Sequence, residues 1–323
     1  MPKLDILFQH PPSPLEELQA PLLSARNLRL FVKRDDLLRQ GPERALCGNK
    51  WRKLQYNLQA AREAGHDRLL TFGGAYSNHL AAVAAAGQAF GFETIGIVRG
   101  ERPGRVNPTL RFVERCGMKL HHLSREAYRA KETPAFQEEL RQRFGHFYPL
   151  PEGGTNALAL HGCLKLAAEI EQQLGAWPHT CCLSVGTGGT MAGLVAGLQN
   201  RSRVLGFSAL KGNFLQDEVR QLLAAHFPEQ GFNRWSVNTD FHAGGYAKAS
   251  PPLIAFINSF YQEHGILLDP IYTGKLFWGL FQLIAAGYFP SGSSIVAIHT
   301  GGLQGIAGFQ ERFPDIGLPA PTA

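Results

Sequence analysis

The chain has 323 residues, 44% of them hydrophobic and 18% charged, enough to bury one large core or two modest ones. Its formal net charge is +6, but Lys and Arg are scattered without a dense basic run, which excludes an evident nucleic-acid footprint and suits an anionic small molecule. No apolar run is long enough to span a bilayer, and the five cysteines show no CxxC spacing for zinc.

The opening MPKLDILFQHPPSPLEEL carries no long apolar stretch of the kind a secretory leader needs. Adjacent Cys181 and Cys182 read as buried free thiols, so the expected compartment is the reducing cytoplasm. Residues 49–64 place Trp51, Leu54, Leu58 and Ala61 at helical spacing. RLLTFGG (68–74) predicts a strand ending in glycines, and SNHLAAVAAAGQAFG (77–91) an Ala-rich helix. TIGIVRG (94–100) predicts a strand, NPTLRFVERCG (107–117) a helix, and MKLHHL (118–123) a further strand. His121 and His122 end that strand, and with no third ligand at suitable spacing no metal site is expected. After PLPEGGTNA (149–157), a Pro/Gly-rich turn, the scheme repeats: helix 156–174, strand HTCCLSVG (179–186), helix TMAGLVAGL (190–198) and strand RVLGFSAL (203–210). SSIVAIHTGG (293–302) predicts a late strand. Such alternation predicts an α/β fold of two parallel-sheet lobes with crossover helices and a cleft between them.

Glycines recur where strands end, at Gly73-Gly74, Gly186 to Gly189 and Gly301-Gly302, the end at which α/β folds bind ligands. In Ser184-Val185-Gly186-Thr187-Gly188-Gly189-Thr190 a strand opens into a helix. Converging N–H groups there, with the hydroxyls of Thr187 and Thr190, would hold a monophosphate. Met191 stands where a dinucleotide fingerprint needs its last glycine, and no Lys-Ser/Thr pair follows as in a P-loop. Lys50, in GNKWRK, starts a helix where the helix dipole disfavours a cation. An amine in such a field, or desolvated, becomes a nucleophile toward carbonyls; a solvated basic helix start is the bland alternative. Lys53, one turn on, is its rival. Ser77 either caps a helix or holds a substrate carboxylate, and Thr300 is either a turn residue or a hydroxyl facing a ring nitrogen. Singly each motif loses to or ties with its bland alternative. Together they account for one cofactor, pyridoxal 5'-phosphate (PLP): an amine for the aldehyde, a cup for the phosphate, an amide for the ring hydroxyl and a hydroxyl for the ring nitrogen.

At these residues the chain resembles the fold type II, tryptophan-synthase-β-like PLP enzymes, and within them the 1-aminocyclopropane-1-carboxylate (ACC) deaminase / D-cysteine desulfhydrase family. The motifs run in order through most of the chain: VKRDDL (32–37), GNKWRKL (48–54), GGAYSNH (73–79), PEGGTNALALHG (151–162), SVGTGGTMAGL, LLDPIYTGK (267–275) and IHTGG (298–302). The resemblance implies two three-layer αβα lobes, with a small domain at 45–151 inserted in a PLP domain of residues 1–44 and 152–323. It implies Lys50 as the Schiff-base lysine, Asn78 on the phenolic oxygen, and Gly186, Thr187, Gly188, Gly189 and Thr190 on the phosphate. Ser77, Asn78 and His79 would flank the substrate carboxylate, and Tyr246 and Tyr272 would be active-site tyrosines. Thr273 and Thr300 stand where ring-opening deaminases look to have Glu and Leu. A hydroxyl leaves a ring nitrogen largely neutral, so the pair favours α,β-elimination from D-cysteine over ring opening. Tyr76, where relatives commonly have Gln, and the surroundings of Gly245 depart from the pattern beside the substrate pocket. The expected partners are a small amino acid and a second copy in a homodimer, with no membrane and no nucleic acid. The rivals are a hydrolytic ACC deaminase, a racemase or hydroxyamino-acid dehydratase, and a non-catalytic ligand-binding relative.

Overall fold

The computed structural model describes residues 11–38, 43 and 45–319. The expected domain junction at residue 44 and the first ten residues lie outside that set. In chain order the elements are β1 (Leu15–Leu18), α1 (Pro21–Ala25), β2 (Arg29–Lys33), α2 (Gly48–Glu63), β3 (Arg68–Gly74), α3 (Asn78–Phe90) and β4 (Glu93–Arg99). Next come α4 (Pro108–Arg115), β5 (Lys119–Leu123), α5 (Arg125–Arg129), α6 (Pro134–Phe144), β6 (Tyr148–Leu150), α7 (Ala157–Leu174), β7 (Thr180–Val185) and α8 (Gly189–Leu198). Last are β8 (Arg203–Ser208), α9 (Phe214–His226), β9 (Trp235–Asn238), α10 (Pro251–His264), α11 (Thr273–Ala285), β10 (Ser294–Ile298) and α12 (Gly305–Arg312).

Two sheets form. One has the order β5-β4-β3-β6, all parallel. The other has the order β1-β2-β10-β7-β8-β9, parallel except for the antiparallel edge pair β1–β2. That edge strand departs from the expected all-parallel lobe. Residues 19–28, which include the short helix α1, are all that separate β1 from β2, too short a link for a parallel crossover.

Both faces of the larger sheet are covered, as β7 shows. Cys182 packs with Leu205, Ile295, Leu276 and Phe277 on one side. Cys181, Leu183 and Val185 pack with Met191, Leu194 and Leu166 on the other. The two thiols are free and buried, one toward each face, because side chains alternate along a strand. The smaller sheet repeats the plan: Leu69 and Val98 face α2, α3 and α4, while Leu70, Phe72, Ile95 and Ile97 face Tyr128 of α5 and Leu140 of α6. An α/β architecture of helix–sheet–helix layers is therefore present twice.

Helix α2 joins the two halves. Trp51, Leu54 and Leu58 are buried in the smaller sheet's core, whereas Arg52 reaches the other half. Its guanidinium donates to both Asp35 oxygens at 2.7 and 2.8 Å and to Glu169 at 2.7 and 2.8 Å. Lys33 of β2 pairs with the same Glu169 at 2.9 Å. Burial opposes the Glu169 charge, but Arg52 and Lys33 outweigh it and hold that carboxyl down at about 2. A guanidinium forked onto two carboxylates fixes both the height and the rotation of α2.

Candidate active site

The carboxyl ends of β3, β7 and β10 and the first turns of α2, α3 and α8 surround one cleft of about 860 Å³. Its depth depends on close backbone approach at Gly48. A Cβ on that residue would lie 2.3 Å from the Thr300 carbonyl, and its φ is +57°. Only glycine lets α2 begin against the end of β10. Asn49 N–H then donates to Thr300 O at 3.2 Å, and Asn49 Nδ2 to Thr190 Oγ1 at 3.2 Å.

This docking places Lys50 in the cleft wall. It forms no ion pair among the described residues, and its surroundings oppose its charge. Burial first, then the Lys53 ammonium, bring its pKa down to about 7. Near neutral pH a large share of the Lys50 amine is therefore uncharged, as attack on a carbonyl requires.

Lys53 has a different setting. Its Nζ donates to Gly153 O at 3.1 Å, to Thr155 Oγ1 at 2.9 Å and to Thr187 Oγ1 at 3.4 Å, and burial lowers its pKa to about 8. Thr155 and Thr187 meet at 2.9 Å. Gly153 admits this cluster: its φ is +68°, and a Cβ there would lie 2.7 Å from Thr187 Cγ2. Gly186, Thr187, Gly188, Gly189 and Thr190 line the same end of the cleft. Gly188, at φ +75°, turns the chain into α8, whose first N–H groups lack intrahelical partners. A Cβ on Gly189 would lie 3.0 Å from Lys53 Nζ. The result is a cup of backbone N–H groups, hydroxyls and one ammonium, donors of the kind an oxyanion takes. Sequence reading made Lys53 a rival of Lys50; the structure gives it to the cup.

At the end of β3, Ser77 caps α3, its Oγ accepting from His79 N and Leu80 N, both at 3.2 Å. Its hydroxyl hydrogen stays free to donate into the cleft. Asn78 lies beside Gly302, where a Cβ would stand 2.8 Å from Asn78 Nδ2. His79 lines the cleft but offers a carboxylate no donor. Thr71 gives its hydroxyl hydrogen to Leu150 O at 3.0 Å, so it accepts from His79 Nε2 at 2.9 Å. The backbone N–H of His79 is spent on Ser77, and Nδ1 is left as a buried acceptor without a partner. Burial, then the charges of Lys50 and Lys53, keep the ring neutral. All three residues expected to flank a substrate carboxylate line the cleft, and the His79 ring has no donor to offer it.

Thr300 lines the cleft, its Oγ1 3.4 Å from Ser184 Oγ. Thr273 does not. It is fully buried, donating from Oγ1 to Asp269 Oδ1 at 2.7 Å and accepting from Asp269 N at 2.9 Å. Asp269 also accepts from the N–H groups of Ile271, Tyr272 and Thr273 at 2.8 to 2.9 Å. Thr273 thus shapes the turn that presents Tyr272, rather than facing a ring. Tyr272 packs on the cup, 3.1 Å from where a Gly186 Cβ would stand. Tyr246 meets it edge-on at 6.2 Å. Tyr246 is 42% exposed as a residue, but its phenol end is turned inward, and desolvation there raises its pKa. Burial raises that of Tyr272 further; both phenols stay protonated at neutral pH. Lys275 secures the Tyr246 loop, donating to Gly245 O at 2.7 Å and Ala209 O at 3.1 Å. Asp269 and Lys275 escaped the sequence reading, although Asp-Pro-x-x-Thr ahead of a helix is a legible turn signal.

An uncharged amine, an anion cup, an amide and a strand-end hydroxyl around one cleft match the aldehyde, phosphate, phenolic oxygen and ring nitrogen of PLP. The comparisons with known proteins agree. The family model "Pyridoxal-phosphate dependent enzyme" matches residues 6–301. The bifunctional D-cysteine desulfhydrase/ACC deaminase of Arabidopsis thaliana is 33% identical over 95% of this chain and 80% of its own length. The D-cysteine desulfhydrase of Klebsiella pneumoniae is 31% identical over 93% of this chain and 94% of its own. The crystal structure of an ACC deaminase homologue superposes with a TM-score of 0.81 at 27% identity, covering 98% of this chain and 99% of that one. With its model spanning most of the chain and the cleft built to suit, the protein belongs to the pyridoxal-phosphate dependent enzymes.

Proposed function

We propose that the protein is a lyase that removes the β-substituent of a small amino acid, converting D-cysteine to pyruvate, sulfide and ammonia. One observation carries the choice between chemistries: Glu152 is the single carboxylate among the described cleft residues, while Thr300 supplies the hydroxyl at the end of β10. A hydroxyl leaves a pyridine nitrogen unprotonated and the electron sink modest, which suffices for a good leaving group and disfavours opening a carbocycle.

Bound PLP supplies an aldehyde for the substrate amine and a conjugated sink for the α-carbanion. The chain's own residues do the rest. The cup, Lys53 and the first N–H groups of α8 hold the phosphate, and Asn78 holds the ring hydroxyl. The Ser77 hydroxyl and the start of α3 orient the substrate carboxylate. Lys50, neutral near pH 7, takes the α-proton, and the protonated phenols of Tyr272 and Tyr246 donate toward the departing sulfur. The test is to supply both cysteine enantiomers to the holoenzyme and measure pyruvate and sulfide. Absence of D-cysteine turnover overturns the reading. The second reading, ACC deamination, is favoured by the bifunctional name of the Arabidopsis relative; it requires 2-oxobutyrate from ACC in the same assay.

Two coarser readings accompany this. Residues 45–151 form a small domain inserted between 1–44 and 152–323, supported by all four strands of the smaller sheet falling within that span. The chain works as a cytoplasmic homodimer, a reading supported for the compartment by five buried cysteines that form no disulfide among the described residues, and by analogy of scaffold for the dimer. No helix among the described residues is long and apolar enough to cross a membrane.

A further inference from the structure

The charge of the cleft exceeds what cofactor and α-carboxylate use. Its described lining holds Lys50, Lys53, Arg99, Arg125, Arg129 and Lys131 against one carboxylate, Glu152. Lys53 belongs to the phosphate cup, Lys50 to the aldehyde. Lys131 is matched by Glu132 at 3.3 Å and Glu152 at 3.6 Å. Three guanidiniums remain, and none has an acidic partner among the described residues.

Their placement is not scattered. Arg99 ends β4 in register with Gly74 of β3, the residue that opens the Ala75–Asn78 turn. Its Nη2 comes within 3.6 Å of where a Gly74 Cβ would stand. Arg125 and Arg129 bound α5 on either side of Tyr128, and the Arg99 guanidinium lies 5.8 Å from the Tyr128 ring. Tyr128 is itself fixed edge-on against Phe72 of β3 at 6.2 Å. Its hydroxyl is buried beside the Glu152 carboxylate. The wall beside the carboxylate turn thus has an aromatic base with the Arg99 guanidinium against it, and the exposed Arg125 and Arg129 line the same cleft. A thiol substituent gives such a wall nothing to bind. Guanidinium forks match the paired oxygens of phosphate, sulfate or sulfonate.

We infer that the preferred substrates, on the elimination reading above, are alanines whose β-substituent is an anionic oxyacid group held by Arg99, Arg125 and Arg129. The reaction balances without an added oxidant or reductant. The α-proton passes to Lys50, and the Cβ–O or Cβ–S bond breaks with its electron pair leaving as phosphate, sulfate or sulfite. The released aminoacrylate takes up one water to give pyruvate and ammonium.

The test compares kcat/KM of the holoenzyme for both enantiomers of O-phosphoserine, O-sulfoserine and 3-sulfoalanine with those of cysteine and uncharged β-chloroalanine. At least one anionic substrate is expected to exceed cysteine by about tenfold, the three arms separating phosphate, sulfate and sulfonate. Arg99→Gln is expected to lower kcat/KM for that substrate about 10- to 100-fold, by a much larger factor than for β-chloroalanine. Equilibrium binding of the same amino acid to the Lys50→Ala protein, which reads affinity without turnover, should weaken by a similar factor when Arg99→Gln is added. Equal use of anionic and uncharged substrates, or an equal loss for both in Arg99→Gln, overturns the inference and reduces the arginines to general steering of anions. Turnover of β-chloroalanine with none of the anionic substrates overturns the inference alone. Absence of pyruvate from every substrate overturns elimination altogether, whereas absence of D-cysteine turnover alone overturns only its assignment as a substrate.

Discussion

The floor and the rim of the cleft are built by different means. The floor is made of junctions between regular elements: Gly48 against β10, the Gly186–Gly189 turn into α8, and Arg52 locking α2 to β2 and α7 through a doubly forked ion network. On its Tyr246 side the rim is made of irregular chain. Tyr246 rides on a loop whose Ala243 and Ala247 hold positive φ of 50° and 51°, secured by one buried lysine. Positions fixed by packed elements hold a reacting atom to a few tenths of an ångström, whereas a loop held by one side chain can be re-aimed by altering that chain. The difference teaches that cofactor chemistry belongs to the floor and choice of substrate to the rim.

The most severe way to break that division is at the floor itself. Lys50→Ala should lower turnover at least about 1,000-fold and abolish the borohydride-sensitive near-visible absorbance of the protein. Retained absorbance would move the cofactor to another amine, with Lys53 the neighbour to examine. Lys53→Met should leave that absorbance obtainable at saturating PLP but weaken PLP affinity about 10- to 100-fold, the worth of one hydrogen-bonded charge. If instead Lys53→Met abolishes the absorbance and Lys50→Ala does not, the two lysines exchange roles.

A third test uses pH. With a pKa of about 7, Lys50 is protonated and unreactive toward an aldehyde below that value and neutral above it. The rate of PLP capture by the cofactor-free protein should therefore rise roughly tenfold between pH 6 and 8 and then level off. A rise delayed to pH 10 would mean that the amine is solvated. The mildest effect belongs to the rim. Lys275→Met frees the Gly245 carbonyl, so kcat/KM should fall several-fold while PLP affinity stays constant. A loss of PLP affinity there would erase the distinction between floor and rim.

The floor was also the part legible in the sequence. Gly186 to Gly189 after an apolar strand, and Lys50 at a helix start, are local patterns with local causes, and the fold follows from the alternation of periods. What escaped reading depends on which partner the fold sets against each group, near or far in sequence. Lys53 can be told from a surface lysine only once the 153–155 turn, a hundred residues away, is set against it. Thr273 reads as a cofactor hydroxyl until Asp269 captures it, and His79 reads as a carboxylate donor until Thr71 takes its Nε2–H. Strands β6 and β9, of three and four residues, are too short to announce themselves by periodicity. The arginines of the rim carry no motif at all: Arg99 only ends β4, and α5 brings Arg125 and Arg129 to the cleft through the packing of Tyr128 on Phe72.

The position of β10 has a consequence for how the protein is made. It is the last strand in chain order, yet it lies at the centre of the larger sheet, between β2 and β7, and its end receives Gly48 and Asn49. Every residue of the cup and Lys50 itself leaves the ribosome before this strand does. Until β10 inserts, β2 has no parallel neighbour and α2 has no Thr300 carbonyl to start against. Cofactor capture is thereby coupled to completion of synthesis, and late, long-range closure of this kind is a slow step that leaves two strand edges open to misassembly. A chain stopped before Ser294 would carry the whole phosphate cup and the reactive lysine and still fail to assemble the site.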